Sequence, residues 1–304
     1  MNFDLTILGC NSAIPTSNRN PSAQILNIFE RFFLIDCGEG TQLQLRKYKF
    51  RIQKINHIFI SHLHGDHYFG LIGFLSTLHL LGRKDDLHIY AHADLKAIID
   101  IQLKSSDTRL NYQLHFHDLQ YDKPRIIYED KLITVETIPL NHRIPCCGFL
   151  FKEKPKERTI IKDKLESFGI PLQKYAEIKA GEDFVDQDGK IIPNALLTRN
   201  PMPCRSYAYC SDTSYFEKII EQISQVDLLY HEATFMQNLS DRATQTFHST
   251  TIQAGMIALK ANVKKLVIGH YSSRYTDLDP LLSETLTIFK NTELGEEGRT
   301  YKIV

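Results

Sequence analysis

The chain has 304 residues, 42% of them hydrophobic and 24% charged, a composition that excludes fibrous and disordered classes and leaves enough apolar mass for a sizeable core. Thirty-six Lys plus Arg balance thirty-six Asp plus Glu, so any polyanion must be met by local patches rather than by overall charge. No apolar run reaches the roughly 18 residues of a membrane span, and the opening MNFDLTILGC lacks the basic-then-apolar order of a secretory signal; a cytoplasmic protein without a membrane partner is expected.

In chain order, the apolar runs LTILG, AQILNIF, RFFLIDCG, HIFISH, LHIYAH, LITVETIPL, CCGFLF, YAYCSD, DLLYHEA and LVIGHY read as strands. Amphipathic spacing predicts helices over Phe69 to Leu81, Leu95 to Leu103, Tyr215 to Ile223 and Ile252 to Ala261. Ser249, Thr250 and Gln253 form a capping box before the last. The pattern is α/β without internal repeats. Several strands end in polar residues (Asp36, Ser61 with His62, Asp212, His231 with Glu232, His270), so reactive groups should collect along one edge.

One stretch breaks the alternation. From Lys152 to Lys179 there are eight Lys or Arg against five acids, followed by the turn Asp186-Gln187-Asp188-Gly189. It reads as an inserted, locally basic segment, or as a solvated surface hairpin with no partner. Six cysteines without a C-x-x-C pair read as small buried thiols, with a redox role for the vicinal Cys146 and Cys147 as the alternative. Thirteen histidines against no Trp is the more informative imbalance.

The densest signal is Ser61-His62-Leu63-His64-Gly65-Asp66-His67, three imidazoles and a carboxylate in six positions at a strand end. Imidazole with carboxylate suits a borderline cation, zinc before manganese or iron. In an extended H-x-H both rings face one side, so His62 and His64 can hold one ion while Asp66 and His67, past the Gly65 bend, address a second. Two ions need further ligands, and His142, Asp212 and His270 at later strand ends are candidates. Each, taken alone, would more often be structural than a ligand, capping a turn or satisfying a backbone group; together with the cluster they fill the vacancies.

The order H-x-H-x-D-H, His, Asp, His resembles the metallo-β-lactamase superfamily and, within it, the ribonuclease Z family, over nearly the whole chain. Leu34-Ile35-Asp36-Cys37-Gly38-Glu39-Gly40-Thr41-Gln42 is similar to the first motif of that family. His231-Glu232-Ala233-Thr234, His248-Ser249-Thr250 and Ser273-Arg274-Tyr275 resemble its specific loops.

The resemblance implies a four-layer αβ/βα sandwich in one domain spanning 1–304, with residues 152–200 inserted as a flexible arm that binds tRNA. It implies two Zn2+ per chain, one on His62, His64, His142 and Asp212, the other on Asp66, His67, Asp212 and His270, with Asp36 orienting ligands; Asp36 alone would equally read as a turn residue. It further implies cleavage of the 3′ trailer from precursor tRNA, leaving a tRNA 3′-hydroxyl and a trailer 5′-phosphate. In this picture Asp66 holds the proton of the nucleophile, and His248, paired with Glu232, protonates the leaving oxygen. A homodimer is implied, each arm serving the other subunit. The family's P-x-K-x-R-N loop appears as Pro15-Thr16-Ser17-Asn18-Arg19-Asn20, with Ser17 in place of the lysine. That departure puts discrimination against CCA-ended tRNA in question and leaves Arg19 and Asn20 as expected RNA contacts, although Asn18 to Pro21 would also make an ordinary turn. Two other readings stay open: a small-molecule phosphodiesterase or ester hydrolase of the superfamily, and an inactive RNA-binding or metal-storage module.

Overall fold

All ten apolar runs become strands in the computed structural model, which describes residues 2–304. In chain order the strands are β1 (Phe3–Gly9), β2 (Ala23–Ile28), β3 (Arg31–Ile35), β4 (Ile55–Phe59), β5 (Leu87–Ala91), β6 (Leu114–Asp118), β7 (Ile126–Glu129), β8 (Ile133–Pro139), β9 (Cys147–Glu153), β10 (Thr159–Ile160), β11 (Phe184–Val185), β12 (Ile191–Ile192), β13 (Thr198–Arg199), β14 (Ser206–Cys210), β15 (Leu228–Glu232), β16 (Leu266–Gly269), β17 (Thr292–Leu294) and β18 (Thr300–Lys302). One seven-stranded sheet runs β18-β1-β2-β3-β4-β5-β6 and a second runs β17-β16-β15-β14-β9-β8-β7. Strands β3 to β6 pair in parallel, as do β14 to β17. Parallel strands covered on both faces account for continuous rather than alternating apolar runs: every residue of β15 and of β16 is buried.

The sheets meet through aromatic rings. Phe59 lies 5.4 Å from Phe149 and 5.5 Å from Phe151, and Phe33 lies 5.9 Å from Phe151, ring centre to ring centre. With no Trp in the chain, Phe and Tyr supply the large area that a sandwich core needs. On the outer face of the first sheet lie α1 (Thr41–Lys47), α2 (Gly65–Tyr68), α3 (Leu71–Leu80) and α4 (Asp94–Ser105). There Leu45, Phe74, Leu78, Leu95 and Ile99 join the strand residues Leu34, Ile58 and Ile89 in one buried cluster. The four-layer αβ/βα arrangement is completed by helices that follow the inserted segment.

That segment contains α5 (Lys162–Ser167), α6 (Tyr175–Ala180) and α7 (Asn194–Leu197), and it is followed by α8 (Ser240–Thr246), α9 (Thr251–Lys260) and α10 (Asp279–Leu286). Helix α9 packs on β15, β16 and α10, and α10 packs on β17. The capping box is present as expected: the Thr250 side chain accepts from Gln253 N, and Gln253 Oε1 accepts from Thr250 N.

Two expectations fail locally. The helix predicted over Tyr215 to Ile223 is a short 3₁₀ turn, Glu217–Ile219, followed by turns. Its polar groups are claimed by neighbours: Gln222 Nε2 donates to Thr137 O (2.9 Å) and Lys260 pairs with Glu217. The helix expected from Phe69 starts at Leu71, because Gly70 N donates to Cys37 O (2.9 Å) and turns the chain there.

The chain divides into two compact units: the larger holds the chain up to Glu129, Thr134–Lys152 and Arg205–Val304, the smaller Asp130–Ile133 and Glu153–Cys204. The smaller unit has a core of its own, in which Leu165, Ile170, Ile178, Ile192 and Leu197 are buried beneath Ile160, Tyr175 and Phe184. Asn194 ties it together: its Nδ2 donates to Ile178 O and Glu182 O at 2.7 Å each, and its Oδ1 accepts from Thr198 Oγ1. Several of its acids serve the backbone; Asp186 Oδ1 accepts from Asp188 N and Lys190 N. Lys162, Lys164 and Arg199 are exposed, and among the described residues no carboxylate pairs with them.

Candidate metal centre

Strand ends of both sheets bring the charged residues together. The segment after β4 carries His62 and His64, and α2 carries Asp66 and His67. The β8–β9 loop carries His142, the residue pair after β14 carries Asp212, and β16 runs directly into His270. Two of the positions hold left-handed backbone without glycine, Asp36 at φ 54° and His270 at φ 58°. Such strain collects where side-chain placement matters. The first motif braces the second: Cys37 N donates to His67 O (2.8 Å), and a Cβ on Gly38 would stand 2.4 Å from Asp66 O, so only glycine lets the two segments approach.

Asp212 is the hinge of the cluster, with its two oxygens facing different groups. Oδ2 lies 3.5 Å from His62 Nε2 and 3.8 Å from His142 Nε2, and His64 Nδ1 stands 3.1 Å from both of those nitrogens. Oδ1 lies 3.4 Å from His67 Nε2 and 3.2 Å from His270 Nε2, and both nitrogens are 3.4 Å from Asp66 Oδ2. Donor atoms of His62, His64, His142 and Asp212 lie within 4.8 Å of one another, as do those of Asp66, His67 and His270. Asp212, His248 and His270 meet the same limit.

Outer nitrogens of four of these rings are held from behind. His67 Nδ1 donates to Asp36 Oδ2 (2.7 Å), His142 Nδ1 donates to Phe247 O (3.0 Å), His62 Nδ1 meets Ser61 Oγ (3.0 Å) and His270 Nδ1 meets Thr234 Oγ1 (3.1 Å). Asp36 also accepts from Ser61 N, Ser61 Oγ and, across the sandwich, Tyr209 OH (2.6 Å). Outer partners of this kind set the tautomer and aim the inner nitrogen. Asp36 is thus both a turn residue and an orienting one. Thr234 belongs to the His231-Glu232-Ala233-Thr234 stretch noted in the sequence; Tyr209 is not among the sequence candidates, and the signal for it is strand alternation, which puts it on the face of Tyr207.

Electrostatics agree with a cation at the centre. Burial, reinforced by His67, lowers His62 to about 4, and burial likewise lowers His64 and His142, leaving these rings neutral with lone pairs to offer. Against the upward push of burial, His270, His67 and His62 hold Asp212 well below the usual carboxylate range. His67 Nε2 is buried without a hydrogen-bond partner, facing two carboxylates. Although burial opposes it, Asp212, Asp66 and Asp36 hold the His67 ring charged, well above the ordinary imidazole value, and a positive charge enclosed by imidazoles and carboxylates marks a place that fits a borderline metal ion. This is a metal-binding site.

Beside it, Glu232 is buried and accepts from Thr213 N (2.9 Å), from Thr234 Oγ1 (2.5 Å) and from His248 Nδ1 (2.8 Å). Burial opposes charge on His248, but the Glu232 carboxylate overrides it and raises the ring to about 9. A cavity of about 630 Å³ is lined by His64, Asp66, His142, Asp212, His248 and His270, with Phe69 and Arg143 at its wall. Arg19 donates to Asn11 Oδ1 (2.9 Å) and Tyr275 O (2.7 Å), and Asn20 Nδ2 donates to Glu297 (2.8 Å), so both half-buried side chains help fasten the Pro15–Asn20 loop to the protein. Cys146 and Cys147 are buried as free thiols, and burial raises both well above the ordinary value, which leaves them unreactive.

A two-sheet αβ/βα sandwich with a His/Asp cluster at the strand ends defines a hydrolase of the metallo-β-lactamase fold. Comparison with known proteins narrows this. The chain is 50% identical over 296 residues to Ribonuclease Z of Bacteroides thetaiotaomicron, covering 97% of this chain and 94% of that one. It is 49% identical to Ribonuclease Z of Cytophaga hutchinsonii over 306 residues, covering 100% and 97%. Among solved structures, human tRNase Z, short form, superposes with a TM-score of 0.72 at 26% identity, covering 99% of each chain. The metallo-β-lactamase fold protein YhfI of Bacillus subtilis gives 0.70 at 20% identity, covering 99% and 100%, a likeness of fold. Residues 3–162 match the family described as Anti-Pycsar protein Apyc1. The chain belongs to the ribonuclease Z family and is a ribonuclease.

Proposed function

We propose that this chain is a zinc-dependent endoribonuclease that removes the 3′ trailer of precursor tRNA, leaving a tRNA 3′-hydroxyl and a trailer 5′-phosphate. The observation that carries the reading is the division of Asp212, one oxygen toward His62, His64 and His142 and the other toward His67, His270 and Asp66, with the Glu232–His248 pair on the same cavity. Two zinc ions held by these groups supply a nucleophile at neutral pH and offset phosphate charge. Asp66 commits Oδ2 to the Ala13 N–H (2.8 Å) and to the cluster, leaving Oδ1 to hold the proton of the attacking water. His248 commits Nδ1 to Glu232 and presents Nε2 to the leaving 3′ oxygen as general acid. Incubation with a 3′-extended precursor tRNA, with the cut mapped to one nucleotide, tests the reading; cleavage of small phosphodiesters alone would favour the superfamily alternative.

The pH profile tests the proton donor. His248 must be protonated to act, so turnover should hold until pH approaches about 9 and fall as pH rises through it. Glu232→Gln removes the charge that raises the ring and should move this limb down toward the ordinary imidazole value of about 6.5. A limb that stays in place would assign it to another group.

Recognition is proposed to lie in residues 152–200, with the cytoplasm as setting and a homodimer as assembly. Lys162, Lys164 and Arg199 offer unpaired charge for phosphates of folded RNA, which is held by shape and backbone. Ser206 pairs with Lys152 across β14 and β9, so a short Gly-Ser hairpin can replace residues 155–201. In that variant hydrolysis of bis(p-nitrophenyl) phosphate should persist, while precursor affinity falls and its dependence on salt becomes shallower. Parallel loss of both activities would show a merely structural segment.

A further inference from the structure

We infer that Arg143 is a substrate-binding residue whose guanidinium grips a non-bridging oxygen of the scissile phosphodiester, an inference that rests on the nuclease reading for its substrate. Four of the five clustered imidazoles set their outer nitrogen against an acceptor or a hydroxyl, whereas His64 is the exception. His64 Nε2 faces Arg143 Nη2 at 3.0 Å, and a guanidinium has donors only. His64 Nδ1 points inward at His62 and His142. An imidazole that binds a cation through Nδ1 keeps its proton on Nε2, so in the loaded protein two donors would confront each other and this contact cannot persist.

Arg143 then has nothing else to hold, since no carboxylate contacts it among the described residues. It is exposed and lines the same cavity as Asp66, Asp212 and His248. Its loop is fixed while its head is free: Asn141 N donates to Thr213 Oγ1 (3.1 Å), Asn141 Nδ2 donates to Ser214 Oγ (2.6 Å), and Ser214 N donates to Asn141 O (2.9 Å). A planar fork on a rigid loop beside a phosphodiester site is the arrangement that arginine serves better than lysine. An acidic ligand is the only chemistry that suits it.

The test is calorimetric titration of inorganic phosphate into zinc-loaded protein, comparing the unaltered chain with Arg143→Ala and Arg143→Lys. Arg143→Ala should weaken phosphate binding by roughly 10- to 100-fold, the scale of one charge-assisted contact, with zinc content unchanged. Arg143→Lys should recover part of the loss because charge returns without the fork. Equal phosphate affinity in all three proteins would overturn the inference, as would loss of zinc from both variants, which would make Arg143 a support for His64. If the unaltered chain leaves precursor tRNA intact while the phosphate difference stands, the tRNA reading fails and the assignment of Arg143 survives.

Discussion

Asp212→Ala should release metal from both halves of the centre and abolish RNA cleavage. The carboxylate is buried and faces both donor sets, with Oδ2 toward His62 and His142 and Oδ1 toward His67 and His270. Its removal should weaken metal binding by more than the roughly 10- to 100-fold expected for an outer partner such as Asp36. Elemental analysis after mild dialysis should find close to two zinc ions per unaltered chain and little in the variant. Asp212→Asn, which preserves shape without charge, separates metal loss from misfolding: its fold should be retained and its metal content should still be low. A fully active variant holding one ion would overturn the two-ion arrangement.

His248→Ala should lower turnover by roughly 10²- to 10⁴-fold, the span of a general acid, with metal content unchanged. The separation is possible because His248 is anchored by Glu232 and stands outside the seven proposed ligands, while Glu232 keeps its bonds to Thr213 N and Thr234 Oγ1 when the ring is removed. A precursor with a 3′-phosphorothiolate at the cut site has a leaving sulfur that needs no proton, so His248→Ala should cleave it almost as fast as the unaltered enzyme does. Equal slowing on both substrates would make His248 a positioning residue for RNA.

What was legible in the sequence was local. Strands β15 and β16 are apolar over most of their length and buried throughout, because parallel strands are covered on both faces. The capping box of α9 is readable because its partners are three residues apart. The H-x-H-x-D-H cluster is readable because four donors share one turn of chain. Edge strands were not: every residue of β6 and β7 is partly or fully exposed, and β17 and β18 have three residues each. The Tyr215 to Ile223 stretch has helical spacing but gives its polar groups to Thr137 and Lys260.

Tertiary structure alone decided how the donors divide. That Asp212 turns one oxygen to each set depends on the end of β14 lying between the segment after β4 and the end of β16, a placement set by sheet order and by Phe and Tyr packing between sheets. That Tyr209 reaches Asp36, that Arg19 reaches Tyr275 and that Arg143 faces His64 depends likewise on partners dozens to hundreds of residues away. Residue type and short-range spacing specify which chemistry a chain can offer; which atom of each group meets which neighbour is set by long-range packing, for which neither period 2 nor period 3.6 carries a signal.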